Sequence, residues 1–189
     1  MKKTIVLSFL TVVLVSCKNS EKESNILEIA NNYYENLDKS NVSEIATLLS
    51  DSILTEETEY NYQQLFSKKD YIDWLKWDSV FNPTYKILKI EYENKAVKAT
   101  ISKTDKRIAF LHKGPIVTEQ TIYFNDDKIT RIETKKYITF KDSTFVKNRD
   151  KLVNWIQKNH PELNGFIHDQ TMTGGMNYLK AIELSKNKK

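Results

Sequence analysis

The chain has 189 residues, 40% of them hydrophobic and 11% aromatic, with a formal net charge of +4. That length supports one domain with a real core, and a charge so small, without a basic stripe, argues against a nucleic-acid binder. The lone cysteine, Cys17, excludes an internal disulfide, and His112, His160 and His168 fall at no metal-ligand spacing, so neither a metal nor a cofactor is expected.

MKKTIVLSFLTVVLVSC opens the chain with two lysines, an apolar run from Ile5 to Val15, and a small residue, Ser16, before Cys17. The run is too short to span a bilayer as a helix and fits a secretory signal over residues 1–16. Leu14-Val15-Ser16-Cys17 resembles a bacterial lipobox. The resemblance implies cleavage before Cys17 and lipidation there, giving a membrane partner through several acyl chains, which together anchor stably. Lys18 follows the cysteine, where an aspartate would suggest inner-membrane retention, so the expected address is the outer membrane of a bacterial envelope. Lys18 to Ser24 is polar throughout and reads as a tether, giving residues 17–24 to lipid and linker.

Ile26, Ile29, Ala30, Tyr33 and Leu37 then share one helical face, with Ser24 or Asn25 as the expected cap. Val42, Ile45, Leu48 and Leu49 predict a second, shorter helix. Ser52 to Tyr60 reads as a strand and Asn61 to Ser67 as a loop. Ser67 to Val80 predicts a third helix with a Ser67/Asp70 capping box, ended by Asn82-Pro83. Strands follow over Thr84–Tyr92, Ala96–Lys103 and Arg107–Lys113. In the first of these the apolar phase slips between Ile87 and Leu88, which predicts a bulge.

Gly114 to Phe140 is the longest patterned stretch. Thr118, Gln120, Ile122 and Phe124 share one face of a strand, Asn125-Asp126-Asp127 supplies turn chemistry, and a second strand starts at Ile129. So long a hairpin needs a cover over its apolar face, and the helices supply it. After Phe140 the period returns to helical, with Asp142 or Ser143 as cap and a stop before His160-Pro161. A last helix is expected from about Met176 to Leu184, capped by Thr173. Thr173-Gly174-Gly175 reads as a link ending in that cap, or as an anion-holding helix start.

The order is α+β. Asn32-Tyr33-Tyr34-Glu35-Asn36-Leu37-Asp38-Lys39-Ser40-Asn41-Val42, with Leu48-Leu49-Ser50-Asp51 closing the second helix, resembles the opening of the nuclear-transport-factor-two-like superfamily. Phe124-Asn125-Asp126-Asp127-Lys128-Ile129 is similar to that superfamily's late turn, with Asp127 where a glycine usually stands. The resemblance covers roughly residues 26–140 and implies a curved antiparallel sheet wrapped around N-terminal helices, a cone with an internal pocket. The expected organisation is then a cone over residues 25–142 and a C-terminal helical extension over 143–189.

The same resemblance supplies two readings of function. In the first, the cone binds a small apolar ligand without catalysis, lined by Tyr33, Trp74, Trp77, Gln120, Ile122 and Phe124, or it serves as a scaffold that pairs through its outer sheet face, as a homodimer or with another envelope protein. In the second, ketosteroid-isomerase-like members place an oxyanion tyrosine on Tyr33, a catalytic carboxylate on Glu57 and a second donor on Gln120. This trio would perform isomerase or dehydratase chemistry. A general base needs a carboxylate in a partly dry pocket, and an enolate needs pointed donors. Gln120 departs from that pattern, which uses a protonated acid.

Overall fold

The apolar stripe of the first long helix becomes the axis of the protein. In the computed structural model, which describes residues 6–187 and their side chains from Lys22 onward, α1 spans Val6–Asp38. Residues 1–5 of the expected signal lie outside what is described, as do the side chains of residues 6–21, Cys17 among them. The helix is continuous through Ser24 and Asn25, so neither caps it, and the polar stretch from Lys18 to Ser24 falls within its span. Ile26, Ala30, Tyr33, Tyr34 and Leu37 are buried along one side. Ser40, at φ 52°, turns the chain. Asn41 then caps α2 (Val42–Leu48) by accepting from the Glu44 amide at 3.4 Å.

Six strands follow the two helices: β1 (Leu49–Glu57), β2 (Tyr62–Ser67), β3 (Thr84–Glu93), β4 (Ala96–Thr104), β5 (Ile116–Asn125) and β6 (Lys128–Tyr137). They form one sheet in the order β2-β1-β6-β5-β4-β3, with every neighbouring pair antiparallel except β1 with β6, which is parallel. The expected loop over Asn61–Ser67 is therefore a strand. Asn61, at φ 48°, makes the turn into it, a conformation asparagine tolerates because its short side chain bonds locally. The expected strand over Arg107–Lys113 is instead a helix, α4 (Lys106–Leu111), because Asp105 accepts from the Ile108 amide at 2.5 Å and caps it.

Ser67 caps α3 (Lys68–Ser79) through the Asp70 amide at 3.1 Å, the box expected from the sequence. The expected bulge appears at Leu88, where the β3–β4 register skips, and two more sit at Lys135 and Thr130 where β6 meets β5. Each bulge adds local twist, and together they bend the sheet around α1. The hairpin turns with Asp126 and Asp127 at φ 46° and 58°. β6 ends at Tyr137, short of the Phe140 expected.

The inner face buries Ile53, Val97, Ala99, Ile101, Ile122 and Ile129 against α1 and α3. Each fully buried aliphatic side chain contributes roughly 1.5–3 kcal/mol, so this stripe alone is a large share of the stability.

The extension forms a second core. α5 (Asp142–Asn159) and α6 (Met172–Lys186) bury Leu152, Ile156, Tyr178 and Ile182 against Trp77, Phe81 and Leu111. No side chain caps α5; the Lys141 amide at its start donates to Nε2 of the buried His112, whose Nδ1 lies 2.8 Å from the Gly114 carbonyl. α6 starts earlier than expected, because Thr171, and not Thr173, accepts from the Gly174 amide at 3.2 Å.

Gly174 and Gly175 are consequently helical and buried. A Cβ on Gly174 would lie 2.1 Å from the Asp169 carbonyl oxygen, and one on Gly175 would lie 3.2 Å from the Trp77 backbone oxygen. The pair is a point of close approach rather than a flexible link.

Candidate functional site

Of the residues singled out in the sequence, Trp77 belongs to the second core and the others gather at the cone, but their partners differ from those expected. Tyr33 is 3% exposed, and its hydroxyl lies 2.5 Å from that of Tyr71 on α3. The donor to Gln120 is instead Tyr34, one residue on, whose hydroxyl gives a 2.9 Å bond to Oε1. Successive helical residues point about 100° apart, so Tyr33 is directed to α3 and Tyr34 to β5. Ala30, Tyr34 and Leu37, spaced i, i+4, i+7, carried that second stripe in the sequence. Burial raises the phenol pKa of Tyr33, Tyr34 and Tyr71 above the ordinary tyrosine value, so all three are neutral donors at physiological pH.

Glu57 lies on the inner face. It pairs across β6 with Thr134, and Thr134 pairs with Gln120, so the three residues form one row over three strands. At strand spacings of roughly 4.8 Å, Glu57 and Gln120 stand about 9–10 Å apart along that row. Glu57 accepts from the Tyr137 hydroxyl at 2.9 Å. Glu56 points the other way, its Oε2 lying 3.6 Å from Arg131 on the outer face. The fold thus brings Glu57 and Gln120 to one surface and gives Tyr33 to the core.

Trp74 and Trp77 belong to an aromatic series. Phe66 meets Tyr71, Tyr71 stacks on Trp74 at 5.7 Å, Trp74 meets Trp77 at 6.3 Å, and Trp77 abuts Phe81 at 5.3 Å. Phe81 continues to Tyr178 at 5.6 Å. The series joins the two cores. Ile122 is fully buried and Phe124 packs at the rim of the first core.

A cavity of about 480 Å³ opens on the outer face of the sheet, where Lys89, Glu91, Lys98, Thr100, Glu119, Thr121 and Lys135 line it, with Ala99 and Gln120 at its floor. A second, of about 10 Å³, sits among Leu37, Val42, Leu75 and Pro83. Neither adjoins Tyr33, Trp74 or Phe124.

Beside the larger cavity, Glu133 is 3% exposed and saturated with donors. Thr58 at 2.9 Å and Lys135 reach one oxygen; Tyr123 at 2.9 Å and Arg131 at 3.1 Å reach the other. Burial opposes its ionisation. The bonds from Lys135, Thr58 and Tyr123 outweigh that and hold its carboxyl below the usual glutamate range.

No family model matches this chain, and no curated protein does. Solved structures do. A candidate ketosteroid isomerase from Kribbella flavida superposes with a TM-score of 0.52 at 12% identity, covering 61% of this chain and 78% of its own. The epoxide hydrolase/cyclase-like enzyme SalBIII, of pyran ring formation in the polyether salinomycin, gives 0.51 at 11% identity over 61% and 92%. An uncharacterised cystatin-fold protein from Novosphingobium aromaticivorans gives 0.50 at 14% identity over 59% and 97%.

The fold is the cystatin-like cone. The resemblance read from the first helices and the late turn holds at that level. Because the cone hosts both enzymes and proteins without a described activity, its presence leaves the chemistry to be argued from side chains.

Proposed function

We propose that this protein is a lipid-anchored component of the bacterial outer membrane whose cone is a non-catalytic binding scaffold. One observation carries the scaffold reading: the buried hydroxyls of Tyr33 and Tyr71 bond each other across α1 and α3, so Tyr33 is engaged with its own chain rather than presented to a ligand. The accessible concavity lies outside the sheet and is lined by lysine, glutamate and threonine. It suits a polar, charged partner rather than the apolar ligand the cone alone suggests. The anchor reading rests on Leu14-Val15-Ser16-Cys17 after an apolar run.

Two results follow. Cys17→Ala should abolish incorporation of labelled fatty acid and release the chain from the membrane fraction. Persistent labelling, or membrane retention equal to that of the unaltered chain, refutes the anchor. Titration with fatty acids and steroids, followed by tryptophan emission, should give no saturable change, because Trp74 and Trp77 are packed among their own neighbours. Stoichiometric binding of either probe refutes the filled cone.

A second reading, an isomerase- or dehydratase-like enzyme, is favoured by the Glu57–Thr134–Gln120 row on one face. In it Glu57 is the base, and Gln120, polarised by Tyr34, is a donor. Exchange of protons alpha to a ketone, lost in Glu57→Gln, is the result that would support it.

A further inference from the structure

The two edges of the sheet are built differently. β3, at one end, carries Lys86, Lys89, Glu91 and Glu93 and a bulge at Leu88, features that discourage another strand from pairing. β2, at the other end, is Tyr-Gln-Gln-Leu-Phe-Ser. It has no charge, no proline and no break in its register with β1. Tyr62, Gln63, Gln64 and Leu65 are all exposed, Leu65 at 70%. Among the described residues, the backbone of β2 has no backbone partner on the side away from β1.

We propose that this edge pairs antiparallel with β2 of a second copy of this chain, about a two-fold axis through Leu65, joining two six-stranded sheets. The inference stands apart from the scaffold reading, since it concerns the edge and not the outer cavity. A two-fold axis normal to the sheet keeps like faces together, and side chains directly opposite each other share a face. Leu65 then meets Leu65, Gln64 meets Phe66 and Gln63 meets Ser67. The most exposed large hydrophobic side chain among the described residues is thereby covered by its own copy.

Charge selects the antiparallel direction. Lys68 and Lys69 follow the strand, and Glu57 and Glu59 precede it. Antiparallel pairing sets each basic end beside the other copy's acidic turn, whereas parallel pairing stacks like on like. Five paired residues on each strand bury little area, so the contact belongs to the weak, concentration-dependent class.

The test uses the full chain carrying Cys17→Ala, in mild detergent, so that an added cysteine is the only thiol. Opposed residues in an antiparallel pair lie within disulfide reach. Leu65→Cys should form a disulfide-linked dimer about tenfold faster under mild oxidation than Leu88→Cys, because pairing raises the local thiol concentration. Leu88 is 54% exposed and lies on the opposite edge. Equal rates, or no dimer from Leu65→Cys, overturn the proposal. Differently tagged copies give a second readout. Leu65→Lys should fail to co-purify with itself, as should Leu65→Glu, while the two together should pair. Co-purification unaffected by either single change overturns it as well.

Discussion

Gly174→Ala should be among the most damaging single-methyl changes in this protein. The new Cβ would lie 2.1 Å from the Asp169 backbone oxygen and 2.4 Å from its Cγ. The carbonyl is main chain and cannot swing aside, so α6 or the turn before it must move. Overpacking of this kind costs about 1–3 kcal/mol and more where backbone is displaced. In a chain of this size, a loss of about 3 kcal/mol lowers Tm by roughly 6–12 °C. Gly114→Ala is the matched control, since nothing lies within 4 Å of its Cβ position. Scanning calorimetry of the two should separate them clearly. Equal Tm values would refute close packing as the reason for the glycine.

Asp78→Asn should destabilise by about 3–5 kcal/mol at neutral pH, the usual loss when one partner of a buried ion pair is removed. The Asp78 side chain is 3% exposed and receives Lys103 at 2.8 and 2.7 Å, the Tyr85 hydroxyl at 3.1 Å and Arg107 at 3.5 Å. Lys103 and Arg107 would keep their charges in a poorly solvated place, their side chains being 20% and 17% exposed.

The effect should depend on pH. Burial raises the Asp78 pKa, but Lys103 and Arg107 together with the Lys103 and Tyr85 hydrogen bonds outweigh it, so the native value is depressed below the ordinary 3.8. A depressed native pKa means the contribution is complete above the unfolded value and is lost as pH falls through the native one. Urea unfolding of the two proteins should therefore differ most near neutrality and converge in strong acid. A difference that grows on acidification would contradict this role.

Long, strongly patterned segments were legible in the sequence because their own periodicity encodes their burial. The β5–β6 hairpin, the inward Val97, Ala99 and Ile101, the Leu88 bulge and the Ser67 cap all appear where the pattern put them. β2 was missed because an edge strand with one buried residue, Phe66, carries no alternation to read. Arg107–Lys113 was misread because Ile108 and Phe110 alternate like a strand, while Asp105 and the i, i+3 pair Ile108 and Leu111 favour the helix that forms.

At the site, the inward turn of Glu57 follows from its pairing with Thr134 in a parallel neighbour 77 positions later, and short-range pattern does not encode that. Tyr33 and Tyr34 differ only in which element each helical direction meets, and the meeting is tertiary. Gly174 and Gly175 look like any glycine pair until the approach of Asp169 and Trp77 gives them a reason.

The aromatic series from Phe66 through Tyr71, Trp74, Trp77 and Phe81 to Tyr178 has an optical consequence. Neighbouring rings stand 5.3–6.4 Å apart without interruption. Excitation absorbed by Tyr71 or Tyr178 at either end will pass to the Trp74–Trp77 pair, and the coupled indoles will imprint a signed doublet on the circular dichroism. Trp74 and Trp77 stand one turn apart on α3, so that doublet survives as long as the helix does, whereas the Phe81–Tyr178 contact at 5.6 Å lasts only while α6 stays docked. Loss of energy transfer from Tyr178 while the doublet persists would record the extension parting from the cone, with no label added to the chain.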